Sequence, residues 1–239
     1  MPILEGEGVT KYFGGLAAVS NVDFCVDRGE LIGLIGPNGA GKTTLFNLIS
    51  GALVPDSGTI KFNTQMITGL KPHRICKMGV GRTFQSVKVF PEMPVFANVL
   101  LGSTFGRSTA PSATDAEGES AGLCAFVGLL DVIEEPAKRL TLANRKRLEL
   151  ARALATKPQL LLLDEMMAGL NPTEVSEVME LVVMIRFMGI TIFMIEHVMK
   201  AIMNVCDRIM VLHHGEKLAE GTPQEIANSK AVIEAYLGE

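Results

Sequence analysis

Residues 36–43 read Gly36-Pro37-Asn38-Gly39-Ala40-Gly41-Lys42-Thr43 and match the phosphate-loop pattern Gly-x-x-x-x-Gly-Lys-Thr. The dense apolar run Leu31–Ile35 precedes them, as expected for a strand covered on both faces, and a helical pattern follows to Ser50. Glycines allow the backbone to curl so that successive N–H groups face a phosphate chain. The new helix adds the positive end of its dipole. The stretch therefore predicts a phosphate site between a strand and a helix.

The polar side chains at the end of the loop carry the expected chemistry. The Lys42 ammonium can reach β- and γ-phosphates, and the Thr43 hydroxyl can ligate Mg²⁺. Thr44 completes the predicted phosphate-binding set. The alternative is a glycine-rich turn before a helix, which binds nothing, and the Lys-Thr pair in register after a strand argues against it.

Composition excludes several broad classes of protein. The chain has 239 residues, a formal net charge of −4, 48% hydrophobic residues and a mean hydropathy of +0.30. This apolar content excludes disorder as the main state, and the acidic balance argues against nucleic acid as a partner. No stretch reaches about 18 uninterrupted apolar residues, and residues 1–7 do not resemble a secretory signal. Four widely spaced cysteines predict mostly buried, reduced thiols in the cytosol.

Short apolar runs alternate with helical patterns along the chain. The expected buried strands and intervening helices are Leu31–Ile35, Asn144–Ala155, Leu160–Leu163, Pro172–Met188 and Ile190–Ile195. Apolar residues that alternate over 18–26 predict antiparallel strands with one wet face. Residues 103–122, rich in Ser, Thr, Ala and Gly, predict an exposed connection with part of a helix. The predicted fold class is α/β, with a mainly parallel sheet and an antiparallel β part.

Two carboxylates follow the apolar strand Leu160–Leu163 directly. Ligands of open α/β sheets bind at the carboxyl ends of strands, where Asp164 and Glu165 stand. Asp164 is expected to hold Mg²⁺, and Glu165 to polarise a water molecule for attack on a γ-phosphate. The alternative is that Asp164 and Glu165 only cap a helix. The phosphate loop elsewhere in the chain argues against it.

These motifs, in this order, resemble those of the ATP-binding subunits of ABC transporters over essentially the whole chain. In that family an aromatic residue stacks on adenine, and Tyr12 matches it. Gln85, in Gly81–Gln85, matches the glutamine that senses Mg²⁺ and water, and His197 matches the switch histidine that contacts the γ-phosphate. Each residue also has an alternative interpretation. Tyr12 could be an ordinary aromatic residue of a strand, Gln85 a solvated amide in a loop, and His197 the cap of the next helix.

The resemblance implies a RecA-like P-loop NTPase with ATP and Mg²⁺ as cofactors. It implies Glu165, His197 and Gln85 as catalytic residues, and Thr43, Gln85 and Asp164 as residues at the metal. It further implies a single ABC ATPase domain over 1–239. Within that domain, residues 1–85 and 159–239 would form the nucleotide-binding core with the β subdomain, and 86–158 a helical subdomain.

Several stretches resemble more closely the ATPases of branched-chain amino acid uptake. They are residues 14–19, 43–51, 79–85, 168–172 and 233–239. The resemblance implies transmembrane permease subunits, a second ATPase subunit, a solute-binding protein reached indirectly, and a peripheral position on the cytoplasmic face of the cell membrane. Importers of urea or short amides look similar and remain an alternative.

The chain departs from the family at the signature, usually Leu-Ser-Gly-Gly-Gln, which stands here as Leu140-Thr141-Leu142-Ala143-Asn144. In the family this segment faces the nucleotide of the partner ATPase, so Thr141, Leu142, Ala143 and Asn144 are expected there. Thr141 keeps a hydroxyl that can cap the next helix. The methyl group of Ala143 is expected to clash with a phosphate or to exclude the φ that glycine adopts. A regulatory subunit with little hydrolysis is therefore the alternative function.

The resemblance also implies an assembly. ATP would lie between two such subunits, in a homodimer or a heterodimer. Residues 89–98 would contact the permease, with Phe90, Met93, Val95 and Phe96 as an apolar patch. The alternative is that these four side chains pack into the core of the helical part itself.

Overall fold

The structure is a computed structural model that describes residues 1–109 and 111–237. Within them the strands are β1 (Pro2–Phe13), β2 (Leu16–Asp27), β3 (Leu31–Ile35), β4 (Ser57–Phe62), β5 (Gln65–Met66), β6 (Val80–Arg82), β7 (Leu160–Asp164), β8 (Thr191–Ile195), β9 (Arg208–His213) and β10 (Glu216–Gly221). The helices are α1 (Lys42–Ile49), α2 (Pro72–Lys77), α3 (Val95–Phe105), α4 (Ala113–Phe126), α5 (Leu142–Ala155), α6 (Pro172–Phe187), α7 (Met199–Val205), α8 (Pro223–Ala227) and α9 (Lys230–Leu237). The chain forms two compact units, one of Met1–Ile75 with the residues from Thr191 onward, and one of Cys76–Ile190.

An antiparallel sheet with strand order β2-β1-β4-β5 lies in the first unit. In β2, Val22, Phe24 and Val26 are buried and the residues between them are exposed, which confirms the predicted alternation. Cys25 is one of those exposed residues. The expectation of buried thiols is therefore wrong for Cys25, because the residue falls on the wet side of an alternating strand.

Parallel strands form the other layer of this unit. Strand β3 pairs in parallel with β8 on one side and with β9 on the other, while β10 returns antiparallel to β9. All five residues of β3 and of β8 are buried, as predicted for strands covered on both faces. Helix α1 packs against β8 through an edge-to-face contact of Phe46 with Phe193, whose ring centroids lie 5.1 Å apart.

The second unit joins a parallel strand pair, β6 and β7, to the helices α3 to α6. Apolar residues of α3, α4 and α5 form one buried cluster, which includes Val95, Cys124 and Leu148. Val95 is fully buried there, whereas Phe90 is 46% exposed. The predicted apolar patch is therefore wrong for Val95, because the first turn of α3 faces the cluster.

Helix α4 lies where the sequence predicted an exposed connection. It occupies residues 113–126 and begins at Ser112, whose hydroxyl accepts a hydrogen bond from the N–H of Asp115 at 3.1 Å. The prediction underestimated helix here, because small residues such as Ala and Ser allow a helix once Ala116, Ser120 and Cys124 are buried on one face. Ala110, within the predicted connection, lies outside the described residues.

The α/β class with parallel and antiparallel sheets is confirmed. Assignment of residues 86–158 to a helical subdomain stays a prediction. In the described part of the chain, no helix combines the length and the apolar character that crossing a bilayer requires. Gly238 and Glu239, at the end of the 233–239 stretch, lie outside the described residues.

Candidate functional site

The phosphate loop lies between the end of β3 and the start of α1. Gly36 and Gly41 have φ angles of +149° and +102°, a region that L side chains rarely adopt. A Cβ atom on Gly36 would lie 2.1 Å from the carbonyl oxygen of Leu212, and one on Gly41 would lie 2.3 Å from that of Ala18. Both positions therefore require glycine, because conformation and space each exclude a side chain.

Lys42 opens α1, and its ammonium group stays within the loop. The residue is only 5% exposed, and Nζ donates to the carbonyl oxygens of Gly36 at 2.6 Å and Pro37 at 2.8 Å. The first turn of α1 contains no acidic residue. Its positive end and the Lys42 charge are therefore not offset by a carboxylate within the helix's own first turn. A curled loop of glycines with this cation fits a polyphosphate chain.

Tyr12 and His197 lie in the same unit as the loop. Tyr12 is 51% exposed near the end of β1, and its N–H donates to Asp56 Oδ2 at 2.7 Å. This hydrogen bond, followed by one from Lys11, lowers the pKa of Asp56. His197 is exposed two residues after β8, and the N-cap of α7 is Val198. His197 thus directly precedes the N-cap position of α7.

The two carboxylates at the end of β7 lie in the second unit, each with a partner from the chain near β6. Asp164 is fully buried, and its Oδ2 accepts from Arg82 Nη2 at 3.0 Å. Burial lowers the pKa of Arg82, while the hydrogen bond and charge of Asp164 act to raise it. The Asp164 N–H donates to the Thr83 hydroxyl at 3.1 Å. Asp164 is thus fixed at both backbone and side chain.

Glu165 and Gln85, which the sequence analysis treated separately, are in direct contact. Gln85 Nε2 donates to Glu165 Oε2 at 2.8 Å. Glu165 has a φ of +50°, unusual for a residue other than glycine, and backbone strain of this kind is common at functional sites. The contact orients the carboxylate through the amide of Gln85, with the amide nitrogen as the donor.

The donor set also fits Mg²⁺. Each unit contains oxygen atoms of the kind that this ion prefers, the Thr43 hydroxyl in the first unit and the Asp164 carboxylate and Gln85 amide in the second. Among the described residues, no group of three or more His, Cys, Asp or Glu side chains could hold a metal. A site with a single carboxylate suits Mg²⁺, which usually takes its other ligands from water and substrate phosphates.

The signature segment forms the start of α5. Thr141 is the N-cap, and its hydroxyl accepts from the N–H of Asn144 at 3.3 Å, as predicted. Ala143 lies within α5, without the positive φ that was expected to be needed, and it is only 7% exposed. At Ala143 the segment is therefore ordinary helix, a backbone conformation that alanine adopts without strain. Leu142, 45% exposed, reaches the surface, as does Thr141.

Substitution of Ala143 by glycine is expected to leave ATP hydrolysis unchanged and to lower the free energy of unfolding by about 0.5–1 kcal/mol, the helix-propensity difference. Urea denaturation and steady-state hydrolysis measure the two effects. Ala153→Gly is a matched control, because Ala153 is 6% exposed on the same helix. Faster hydrolysis in Ala143→Gly alone would restore the view that the methyl group obstructs the signature.

Comparison with protein families matches the ABC transporter model to residues 19–168. The chain belongs to the ABC transporter family. A second family model, for the branched-chain amino acid ATP-binding cassette transporter, matches residues 216–239 of this ABC cassette. The cassette is accordingly an ATPase, as its family relationship and the phosphate loop both indicate.

Similar proteins cover the whole cassette. The high-affinity branched-chain amino acid transport ATP-binding protein LivG of Escherichia coli (strain K12) is 43% identical over 251 residues, with 100% of this chain and 98% of LivG covered. BraF of Pseudomonas aeruginosa, described in the same words, is 40% identical with the same coverage. The crystal structure of the ADP conformation of an ATP-binding cassette of an ABC transporter superimposes on this chain with a TM-score of 0.90. The two sequences are 31% identical, and the match covers 100% of both chains.

Sequence reasoning missed three charged residues of the cassette that lie on α5. Lys146 and Glu149 are each 3% exposed, although charged side chains are almost never fully buried unless they are paired. Glu149 Oε1 accepts from the N–H of Lys88 at 3.0 Å, and the Arg152 guanidinium lies 4.9 Å from the centre of the Phe90 ring. Their spacing of three residues was the available signal, since it puts neighbouring members on adjacent parts of one helix surface.

Replacement of Glu149 by glutamine is expected to change how the stability of the cassette depends on pH. Burial raises the pKa of Glu149 to about 7, against the opposing effects of the Lys88 and Phe84 N–H groups and the Arg152 and Lys146 charges. The folded state therefore prefers the neutral acid. Its stabilising contribution is full below the ordinary pKa of 4.5 and is lost as pH rises through 7.

Between pH 5 and pH 8 the free energy of unfolding of the wild type should thus fall by about 2 kcal/mol relative to Glu149→Gln. Urea denaturation of both proteins at the two pH values measures this difference. Glu117→Gln, at an exposed position on α4, serves as the control. A constant gap between wild type and Glu149→Gln across this range would contradict the raised pKa.

Proposed function

We propose that this cassette is the ATP-hydrolysing subunit of an importer for branched-chain amino acids. The observation that carries the substrate class is the similarity of the whole chain to LivG and BraF, both described as branched-chain amino acid transport ATP-binding proteins. The match of residues 216–239 to a family model for the same transporters supports it. Hydrolysis is supported by the contact between Gln85 and Glu165.

In the proposed site the first unit binds the nucleotide. Residues Gly36 to Gly41 surround the phosphates with backbone N–H groups, and Lys42, Thr43 and Thr44 contact them from the start of α1. Tyr12 presents its exposed ring to adenine, and His197 contacts the γ-phosphate. Mg²⁺, when bound by Thr43 and Asp164, would neutralise charge that develops on the phosphates.

Hydrolysis is assigned to the second unit. Glu165 accepts a proton from the attacking water, because the hydrogen bond from Gln85 Nε2 holds its carboxylate in place. Gln85 orients Glu165 and senses the metal and the water. The segment formed by Thr141, Leu142, Ala143 and Asn144 offers the N-terminus of α5 to the nucleotide of a partner cassette.

The proposed assembly contains two cassettes, transmembrane permease subunits and an indirectly coupled solute-binding protein. The cassette would sit on the cytoplasmic face of the membrane, where Phe90, with its exposed ring, is a candidate contact with the permease. Purification of the complex identifies the second cassette, either as another copy of this chain or as a different chain.

The test is transport by the complete complex in membrane vesicles. Co-expression with its permease subunits, the second ATPase subunit and the solute-binding protein is expected to give ATP-dependent uptake of labelled leucine, isoleucine and valine. Lys42→Ala should abolish both uptake and hydrolysis, because the phosphates lose their buried cation. Uptake of urea or a short amide in place of leucine would overturn the substrate class, and uptake without hydrolysis would overturn the role of the cassette.

A further inference from the structure

Lys146 is a buried cation whose ammonium group hydrogen-bonds to the turn that follows β7. It lies on the second turn of α5 and is 3% exposed. Its Nζ donates to the carbonyl oxygen of Glu165 at 3.0 Å and to that of Ala168 at 2.7 Å. Both acceptors belong to the turn 165–170, which also contains hydrogen bonds from the Ala168 N–H to Glu165 and from the Leu170 N–H to Met167. One ammonium group therefore fixes both ends of the first half of this turn.

The residue at the start of the turn is held in an unfavourable conformation. Glu165 has a φ of +50°, which costs an L residue about 1 kcal/mol or more unless its surroundings enforce it. A hydrogen bond from a buried charge to its own carbonyl oxygen is strong enough to offset that cost. The Glu165 side chain meets Gln85 only when the backbone is turned in this way, since φ sets the direction of the Cα–Cβ bond.

The exposed signature residue touches the same turn. A Cβ atom on Gly169 would lie 3.0 Å from Leu142 Cδ2, so Leu142 packs over the second half of the turn. Leu142 and Lys146 are four residues apart and hence lie on one side of α5. The start of α5 thus contacts the turn twice, once through an apolar side chain and once through a charged one.

We propose that Lys146 is a positioning residue for ATP hydrolysis, which links the signature end of α5 to the Glu165 carboxylate of the same chain. The proposal rests on the proposed function in one respect, the role of Glu165 as the proton acceptor. A displacement of α5 when its N-terminus meets the nucleotide of the partner cassette is passed to Glu165 through the hydrogen bonds of Lys146. The residue acts on Glu165 through the two carbonyl oxygens of the turn that its ammonium group binds.

Lys146→Met, which keeps the volume and removes the three donors, tests the link in two measurements. In the complete transport complex the kcat for ATP is expected to fall by about 10-fold or more, since small displacements of a reacting group have effects of this size. The KM for ATP should change by less than about 2-fold, because the phosphate loop is intact. Lys146→Arg, which keeps the charge and the donors, should recover part of the loss.

The second measurement is independent of hydrolysis. Hydrogen exchange of the isolated full-length cassette, followed in a peptide that spans residues 164–171, is expected to speed up in Lys146→Met at Ala168 and Leu170. Lys157→Met is the control, because Lys157 follows the other end of α5, is 57% exposed and pairs with Glu119. It should change neither the exchange nor the kcat.

A folded Lys146→Met variant with the same kcat as the wild type would overturn the proposal. Lys146 would then have a structural role only. Unchanged exchange of residues 164–171 would overturn it as well. A wild-type complex that binds ATP without hydrolysing it would instead contradict the proposed function. The exchange comparison still decides in that case whether Lys146 holds the turn.

Discussion

Glutamine in place of Glu165 is expected to slow ATP hydrolysis by about 100-fold or more and to leave ATP binding intact. The amide cannot accept a proton from water, whereas its carbonyl oxygen can still accept the hydrogen bond from Gln85 Nε2 that is 2.8 Å long in the wild type. The site therefore keeps its shape and loses its base. Single-turnover hydrolysis and nucleotide affinity, measured on the assembled complex with the partner site disabled, separate the two effects.

The matched control for this variant is Glu117→Gln, at an exposed position on α4. It makes the same chemical change and should leave both hydrolysis and affinity as they are. Turnover within about 2-fold of wild type in Glu165→Gln would end the role of Glu165 as the proton acceptor, since general bases contribute at least 100-fold. A loss of ATP affinity instead would mean that Glu165 acts in binding.

Loss of Arg82 should produce the largest change in stability of any single substitution considered. Arg82→Met is expected to lower the free energy of unfolding by about 3–5 kcal/mol, the usual result of removing one member of a buried ion pair. The Arg82 side chain is 7% exposed and that of Asp164 is 0% exposed, so water cannot replace the missing partner. Glu149, whose charge also acts on Arg82, would lose a favourable neighbour too.

Urea denaturation of the isolated cassette measures this effect. Arg139→Met is the control, because Arg139 pairs with Glu135 at the surface, with side-chain exposures of 69% and 46%. An exposed pair of this kind contributes about 0–1 kcal/mol. Equal losses in the two variants would contradict a special role for the buried pair. The double variant Arg82→Met with Asp164→Asn should regain part of the stability, because no uncompensated charge at position 164 remains.

Local motifs were predictable from the sequence where one conformation satisfies the residue pattern. The loop at 36–43 is such a case, since glycine is required where a Cβ atom would strike the backbone at Gly36 and Gly41. The strands Leu31–Ile35 and Leu160–Asp164 agree with their predicted starts because an uninterrupted apolar run must be covered on both faces. The capping box of Thr222 and Glu225, with Pro223 at the first helical position, depends in the same way on residues adjacent along the chain.

Contacts between distant residues were not predictable in this way. Ala143 looked obstructive as a substitution in a motif, but its methyl group is buried within α5. Lys146 and Glu149 carry charges, which usually lie at the surface, yet each binds a backbone segment from elsewhere in the chain. Helix periodicity identifies which residues share a surface, and it does not reveal which other segment will cover that surface.

The sequence by itself determined the α/β fold, the phosphate loop and the identity of the carboxylates at the end of β7, because these depend on residues adjacent along the chain. Only the tertiary structure decided that Gln85 bonds to Glu165, that Arg82 pairs with Asp164 and that Lys146 holds the turn after β7. Those pairs are 19 to 82 residues apart. The physical reason is that hydrogen bonds and ion pairs are set by distance in space, which packing fixes and spacing along the chain does not.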